Sequence, residues 1–123
     1  MAKVILDTSF ILTCVRNRLD FFEELFLKGH SVFIPRGVVF EIERIKNSTK
    51  SLKTRSEAEI ASRILESASY REVDCPGKYA DSGIKNYLKE HQEFILATVD
   101  SKLKKSVKNR KIVIRNKKKL ELQ

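Results

Sequence analysis

The stretch "VILDTSFIL" (residues 4–12) places one acid, Asp7, and two hydroxyls between two apolar runs. Its first half, "KVIL" (3–6), is rich in β-branched residues and reads as a strand, so Asp7 stands where the chain leaves a hydrophobic core. Further short runs of this kind follow at 31–34 (SVFI), 94–99 (FILATV) and 111–115 (KIVIR), with a weaker one at 70–74 (YREVD). Between them apolar residues recur at helical spacing: Phe21, Phe22, Leu25 and Phe26; Ile60, Ala61, Ile64, Leu65 and Ala68; Ile84, Tyr87, Leu88 and His91. Gly29 reads as a helix stop and Pro76-Gly77 as a turn. Strands alternating with helices require crossover connections. The expected fold is therefore α/β, a three-layer α/β/α sandwich around a central, mainly parallel sheet.

Composition narrows the class. A chain of 123 residues with 41% hydrophobic and 33% charged residues is read as one globular domain, residues 1–123. Its formal net charge is +9, with a sequence pI near 9.7. That surplus favours a polyanionic partner, nucleic acid before membrane, through counterion release and steering. Cys14 and Cys75 lie far apart, without metal-ligand spacing, which points to a reducing cytoplasm rather than a disulfide framework. No signal peptide and no membrane-spanning run is expected. His30 and His91 are isolated and support neither a zinc site nor a His-based triad.

In a doubly wound sheet, sites form beyond the carboxyl ends of the strands. Four segments send acids to that rim. Asp7 follows the first strand and Asp100 follows "FILATV" directly. Asp81, in "ADSGI", begins the helix before that strand, and Glu41 and Glu43 lie in "PRGVVFEIERI" after the second strand. Each of Asp7, Asp81 and Asp100 has an ordinary alternative as a helix cap or first-turn charge. With Val38, Val39, Ile42 and Ile45 inward, Glu41 borders one edge of the apolar stripe and Glu43 the other, and periodicity leaves both open. Their coincidence on one rim outweighs the separate explanations. Gathered carboxylates call for a divalent cation with open water positions, Mg²⁺ or Mn²⁺, suited to phosphodiester cleavage.

The segments "LDTSFIL", "IPRGVVFEIERI", "ADSGIKNYL" and "ATVDSKLKK", in that order, closely resemble the PIN-domain ribonucleases over nearly the whole chain. The ending "KIVIRNKKKLEL" resembles the archaeal and eukaryotic branch that includes small-subunit rRNA processing nucleases, whose archaeal members are often labelled VapC-type toxins. The resemblance implies a metal-dependent endoribonuclease leaving 5′-phosphate and 3′-hydroxyl ends. It implies that Asp7, Glu41, Asp81 and Asp100 form the catalytic, metal-binding cluster. Glu41 is preferred to Glu43 because the family acid lies six residues after the proline, here Pro35. Thr98 matches a supporting polar position, and Ser9 stands where many relatives carry Asn. The implied partners are RNA, a second copy of the chain, and either an antitoxin protein or a pre-ribosomal particle. On this reading Asp7 is assigned to a metal at the rim in preference to a cap.

The cations then have a task, since an acidic pocket repels phosphate. Lys102, Lys104, Lys105, Lys108 and Arg110 follow Asp100 closely and are the candidate RNA contacts. About half of such a run is expected merely to decorate a solvated face. Residues 46–55, "KNSTKSLKTR", read as a mobile basic loop or frayed helix end, with Lys46, Lys50, Lys53 and Arg55 as a second contact. Few exposed aromatics are expected, so base stacking finds no support beyond Tyr79, which is expected to pack. A non-catalytic RNA-binding or assembly module on the same fold is the alternative, and the four filled acid positions count against it. A phosphotransfer receiver also puts an Asp at a strand end, but its early acid pair is missing here.

Overall fold

The computed structural model describes residues 2–48, 51–77 and 80–123; Thr49, Lys50, Lys78 and Tyr79, and with them the expectations for Lys50 and Tyr79, lie outside that set. Six strands, β1 (Ala2–Leu6), β2 (His30–Pro35), β3 (Arg71–Val73), β4 (Phe94–Ala97), β5 (Lys111–Arg115) and β6 (Lys119–Leu122), form one sheet in the order β3-β2-β1-β4-β5-β6. All pairings are parallel except β5 with β6. The helices among the described residues are α1 (Thr8–Arg16), α2 (Phe21–Leu27), α3 (Arg36–Lys46), α4 (Leu52–Ser67), α5 (Ala80–Glu90) and α6 (Ser101–Ser106).

The apolar runs bury where the strand reading puts them. Val4, Ile5 and Leu6 of β1 and all four residues of β4 are buried, as expected of central parallel strands covered on both faces. Right-handed crossovers from β1 to β2 and from β2 to β3 put their helices on one face, where α1, α3 and α4 pack together. The chain then returns from edge strand β3 to β4, and that reversed direction puts α5 and α6 on the other face, in contact with each other. No described helix is long and apolar enough to cross a membrane.

Three details differ from the sequence expectation or narrow it. The strand at 94–99 ends at Ala97, because the side chain of Thr98 turns into the rim and is taken up there. Of the two readings of 46–55, a loop or a helix end, residues 52–55 are the first turn of α4: Ser51 accepts the Thr54 N–H at 3.3 Å, a serine N-cap. The basic tail carries a sixth strand, β6, folded back on β5 through a turn with Asn116 and Lys117 both at positive φ, the geometry that matches strand twist in a tight hairpin. Gly29, at φ 80, follows the end of α2 as the expected stop.

The strand order reverses direction between β1 and β4. The crossovers leave these two neighbours toward opposite faces, which opens a crevice beyond their carboxyl ends. Leu6 pairs with Ala97, and the Asp7 N–H donates to the Ala97 carbonyl at 3.3 Å. Asp7 and Thr98 therefore flank that crevice as the first residues past their strands.

Candidate active site

Asp7 is 2% exposed, yet its carboxylate is well supplied with donors. Oδ1 accepts the Phe10 N–H at 2.8 Å and so caps α1, and the Ser9 hydroxyl donates to Oδ1 at 2.9 Å with Oδ2 at 3.1 Å. The fully buried Thr98 donates to Oδ2 in a short hydrogen bond. Asp7 therefore does cap α1, its ordinary alternative, and the cap takes up only part of the carboxylate. A carboxylate offers about four lone-pair sites. Three protons occupy three of them, which leaves one for a further ligand. Burial raises the Asp7 pKa to about 6, against the lowering effect of Thr98, Phe10 and Ser9 and with some help from the charge of Asp81.

Thr98 ties this residue to the next strand end. Its oxygen accepts the Asp100 N–H at 3.0 Å while its proton goes to Asp7. Asp100 caps α6: Oδ1 accepts the N–H groups of Lys102 at 2.9 Å and Leu103 at 3.2 Å, so the cap leaves Oδ2 unused. Ser9, where the sequence departs from the family pattern, does bond Asp7, and its oxygen also receives the Val99 N–H at 3.4 Å.

The other two acids come from the flanking helices. Glu41, on α3, accepts a short hydrogen bond from the Thr8 hydroxyl. Asp81 lies exposed in the first turn of α5. Its pKa is raised by burial against the crevice wall and then by Asp100 and Glu41; when protonated it donates to Asp100. The charges of Asp100 and Glu41 thus act on Asp81, and that of Asp81 acts on Asp7. Glu43, left open by periodicity, faces elsewhere: Lys46 bridges it at 2.9 Å and Ser62 on α4 donates at 2.6 Å, holding its pKa down. Lys46 is thereby engaged with Glu43 rather than free, and Arg55 donates to the Ser48 carbonyl at 3.3 Å.

Glu41 and Asp81 also line a cavity of about 400 Å³ with Gly37, Phe40 and Arg44 from α3, Ala80 from α5, and Cys75 and Gly77 from the loop after β3. That loop lies tight against α5. A Cβ on Gly83 would collide with the Cys75 carbonyl oxygen, and one on Gly77 would sit 2.9 Å from the Gly83 nitrogen. Both glycines are needed for the close approach.

The cluster offers carboxylate and hydroxyl oxygens and neither thiolate nor imidazole, the donor chemistry of Mg²⁺ or Mn²⁺. Burial is the main cause that raises both Asp7 and Asp81, and like charge adds to it, from Asp81 on Asp7 and from Asp100 and Glu41 on Asp81. Among the described residues no three acids already converge as a finished coordination group. Glu41 is bonded to Thr8, and Asp81 is exposed. The residues fit a divalent cation that draws them together.

Beside the acids, Lys102, Lys105, Lys108 and Arg110 are exposed and Lys104 is half-buried. None of the five is in an ion pair among the described residues, whereas six other cations are. Thr8, Phe40 and Arg44 are site residues that the sequence does not single out. Thr8 stands there only as one of the two hydroxyls that follow Asp7. Phe40 carries a usable signal, an aromatic lying outside the Val38/Ile42/Ile45 stripe; at 68% exposure it is, with Phe26, one of the few exposed aromatics among the described residues.

A family model described as a PIN like domain matches residues 4–119. Ribonuclease VapC4 of Methanocaldococcus jannaschii is 29% identical over a 128-residue alignment spanning 99% of this chain and 97% of that protein. The rRNA-processing protein fcf1 of Schizosaccharomyces pombe is 30% identical over 110 residues, 85% of this chain; the chain spans about half (53%) of that relative's length. The structure of the PIN domain endonuclease Utp24 superposes with a TM-score of 0.79 at 26% identity, covering 98% of this chain and 90% of the other.

Proposed function

The chain belongs to the PIN-like domain family, and from that premise we propose a metal-dependent endoribonuclease, with residues 1–123 acting as one nuclease domain. One observation carries the reading. Thr98 ties Asp7 to Asp100 just past the adjacent strands β1 and β4, and Glu41 and Asp81, from α3 and α5, line one cavity in which the charge of Asp81 reaches both strand-end acids. Helix capping explains Asp7 and Asp100 singly but not why Asp81 lies close enough for its charge to interact with Asp7, Asp100 and Glu41.

In this reading Asp81, Glu41 and the unused oxygen of Asp100 are the ligands that close on a Mg²⁺ or Mn²⁺ ion, with Asp7 offering its one remaining lone pair. A divalent cation there supplies Lewis acidity and activates water for attack on a phosphodiester. Thr98 and Ser9 hold Asp7 in a single rotamer, and Thr98 carries that order to Asp100. The capped acids are thereby preorganised, and the helix-borne acids provide the adjustment. Lys102, Lys104, Lys105, Lys108 and Arg110 bring the RNA backbone to an otherwise repulsive rim.

The relatives' names divide the role between rRNA processing and a VapC-type ribonuclease. The proposed partners follow: RNA in either case, a pre-ribosomal particle in the first and an antitoxin protein in the second, with a homodimer compatible with both. The deciding assay incubates structured and unstructured RNA with Mg²⁺, Mn²⁺ or EDTA beside the Asp7→Asn variant. Cleavage should require the metal and vanish in the variant while RNA binding persists. Cleavage that survives Asp7→Asn overturns the mechanism. Salt-sensitive binding with no cleavage under any condition favours the non-catalytic module.

A further inference from the structure

The cavity beside the acids has a second wall with nothing acidic about it. Gly37, Phe40, Glu41 and Arg44 recur at i, i+3, i+4 and i+7, so α3 presents them along one face toward the cavity. Phe40 is 68% exposed, and among the described residues no other ring packs on it. Arg44 is exposed and, among the described residues, its guanidinium is in no ion pair, although Arg36 and Lys46 on the same helix are both paired. Gly37 keeps the floor open: a Cβ there meets nothing within 4 Å. The volume, about 400 Å³, lies in the range that takes a small-molecule-sized group.

Resting on the nuclease reading, we infer that this cavity is a stacking subsite for one unpaired nucleobase of the RNA, adjacent to the phosphate being cut. Glu41 belongs to both the acid cluster and the cavity wall, so a strand whose phosphate reaches the acids must carry a neighbouring nucleoside past Phe40. Each base has a π-face, and a bare phenyl ring stacks on it without regard to sequence. Arg44, one turn further on, adds a planar cation that stacks on the same base or pairs with the next phosphate. Glu41 and Asp81 would repel a phosphate placed in the cavity itself, so the uncharged part of the nucleotide is the part that enters. The subsite accounts for what the acids leave unexplained, an apolar ring and a free cation held in water beside a charged cluster.

The test uses a single-stranded RNA oligomer with 2-aminopurine moved through it one position at a time, bound to the full chain in EDTA so that nothing is cut. Stacking on Phe40 should quench the fluorescence at one or two adjacent positions. Phe40→Leu should abolish that quench and weaken binding about tenfold, the scale of one base–aromatic stack. Phe40→Trp should retain it. Gly37→Leu, which fills the cavity and favours the helix, should remove the quench while leaving Phe40 in place. With Mg²⁺, Phe40→Leu should raise KM far more than it lowers kcat. Equal quenching in wild type and Phe40→Leu, with cleavage intact, overturns the subsite and spares the nuclease reading. A Phe40-dependent quench without metal-dependent cleavage overturns the nuclease reading and leaves a base-binding pocket. An RNA that does not bind overturns both.

Discussion

The two halves of the acid cluster are built in opposite ways. Asp7 and Asp100 stand at the ends of adjacent central strands, cap the helices that follow, and share Thr98 between them. The donors around Asp7 are a backbone N–H of the helix it caps, the fully buried hydroxyl of Thr98 and the half-buried hydroxyl of Ser9. Glu41 and Asp81 come instead from the sides of helices, on a wall open to solvent, with a threonine hydroxyl or another carboxyl as their nearest partners. One half is held by several hydrogen bonds to each carboxylate, and the other by fewer. That division suits a site that must hold a fixed charge pattern and also adapt to a cation and a flexible strand.

The contrast is sharpest between two substitutions that should look alike in an activity assay. Asp7→Asn and Asp81→Asn are both expected to abolish cleavage, but they should part on stability. The Asp7 pKa is raised from 3.8 to about 6, so the folded state binds its proton more tightly than the unfolded state does. Its contribution is most favourable below about pH 4, declines as pH rises toward 6, and is a fixed penalty above that. The penalty is on the order of 3 kcal/mol, at ~1.4 kcal/mol for each tenfold change in proton affinity. In EDTA, urea titrations from pH 4 to 8 should therefore show a downward slope in the native chain that Asp7→Asn lacks, while Asp81→Asn, being exposed, keeps it. Mg²⁺ should raise the midpoint of the native chain by mass action and that of neither variant. If both variants keep the slope, the ordered half is not where the burial cost resides.

Thr98→Val probes the joint. The valine leaves the Asp100 N–H without its acceptor and takes one of three donors from a buried carboxylate, a cost of about 1–3 kcal/mol. Outer groups that orient metal ligands typically change affinity or activity ~10–100-fold, and the same is expected for Mg²⁺-dependent cleavage here. Ser9→Ala should cost less, since Asp7 retains Thr98 and Phe10. Equal losses in the two variants would mean that Asp7 is held by the number of its donors and not by the link to Asp100.

Gly83→Ala tests the open half without touching an acid. Its Cβ would meet the Cys75 carbonyl oxygen, so α5 and the loop after β3 must separate. Overpacking of this kind typically costs about 1–3 kcal/mol. Because Asp81 rides on α5 two residues earlier, the response to Mg²⁺ should weaken as the thermal midpoint falls. A midpoint shift with unchanged Mg²⁺ dependence would show that the wall position does not set the site.

The same contrast decides what is legible in the sequence. Asp7 and Asp100 follow apolar β-type runs directly, and a strand end fixes both where a residue sits and which way it points. Asp81 is legible for a related reason, as the first turn of a helix has a defined start. Glu41 and Glu43 are not separable by periodicity, because each flanks the apolar stripe of α3. The neighbours that distinguish them, Thr8 for one and Lys46 with Ser62 for the other, depend on tertiary packing. Phe40 escapes any reading that takes apolar residues for core residues. Its position outside the stripe is the available signal. Strand β6 is hidden because five of the eight residues at 115–122 are Lys, Arg or Asn, and its hairpin turn uses Asn-Lys rather than a glycine pair.

The smallest effects belong to the cations, and here both halves should respond in the same way. Lys102, at the first turn of the helix that Asp100 caps, and Lys105 and Lys108 beyond it have no acidic partner among the described residues. An unpaired surface lysine near a carboxylate cluster gains little within the protein, since exposed pairs are worth about 0–1 kcal/mol at best. Its gain comes with a polyanion. Each phosphate contact releases counterions, which gives a slope of about −0.7 per contact in log K against log salt for single-stranded RNA. Lys102→Ala and Lys105→Ala should each flatten that slope by roughly this amount, measured as RNA affinity from low to high salt. Folding and the 2-aminopurine quench should be unaffected. Phe40→Leu should do the reverse, weakening binding at every salt concentration with the slope preserved. If a lysine variant lowers affinity without changing the slope, that lysine supports the fold of the rim instead of touching the RNA, and the path of the strand must be sought along Arg110 and β5.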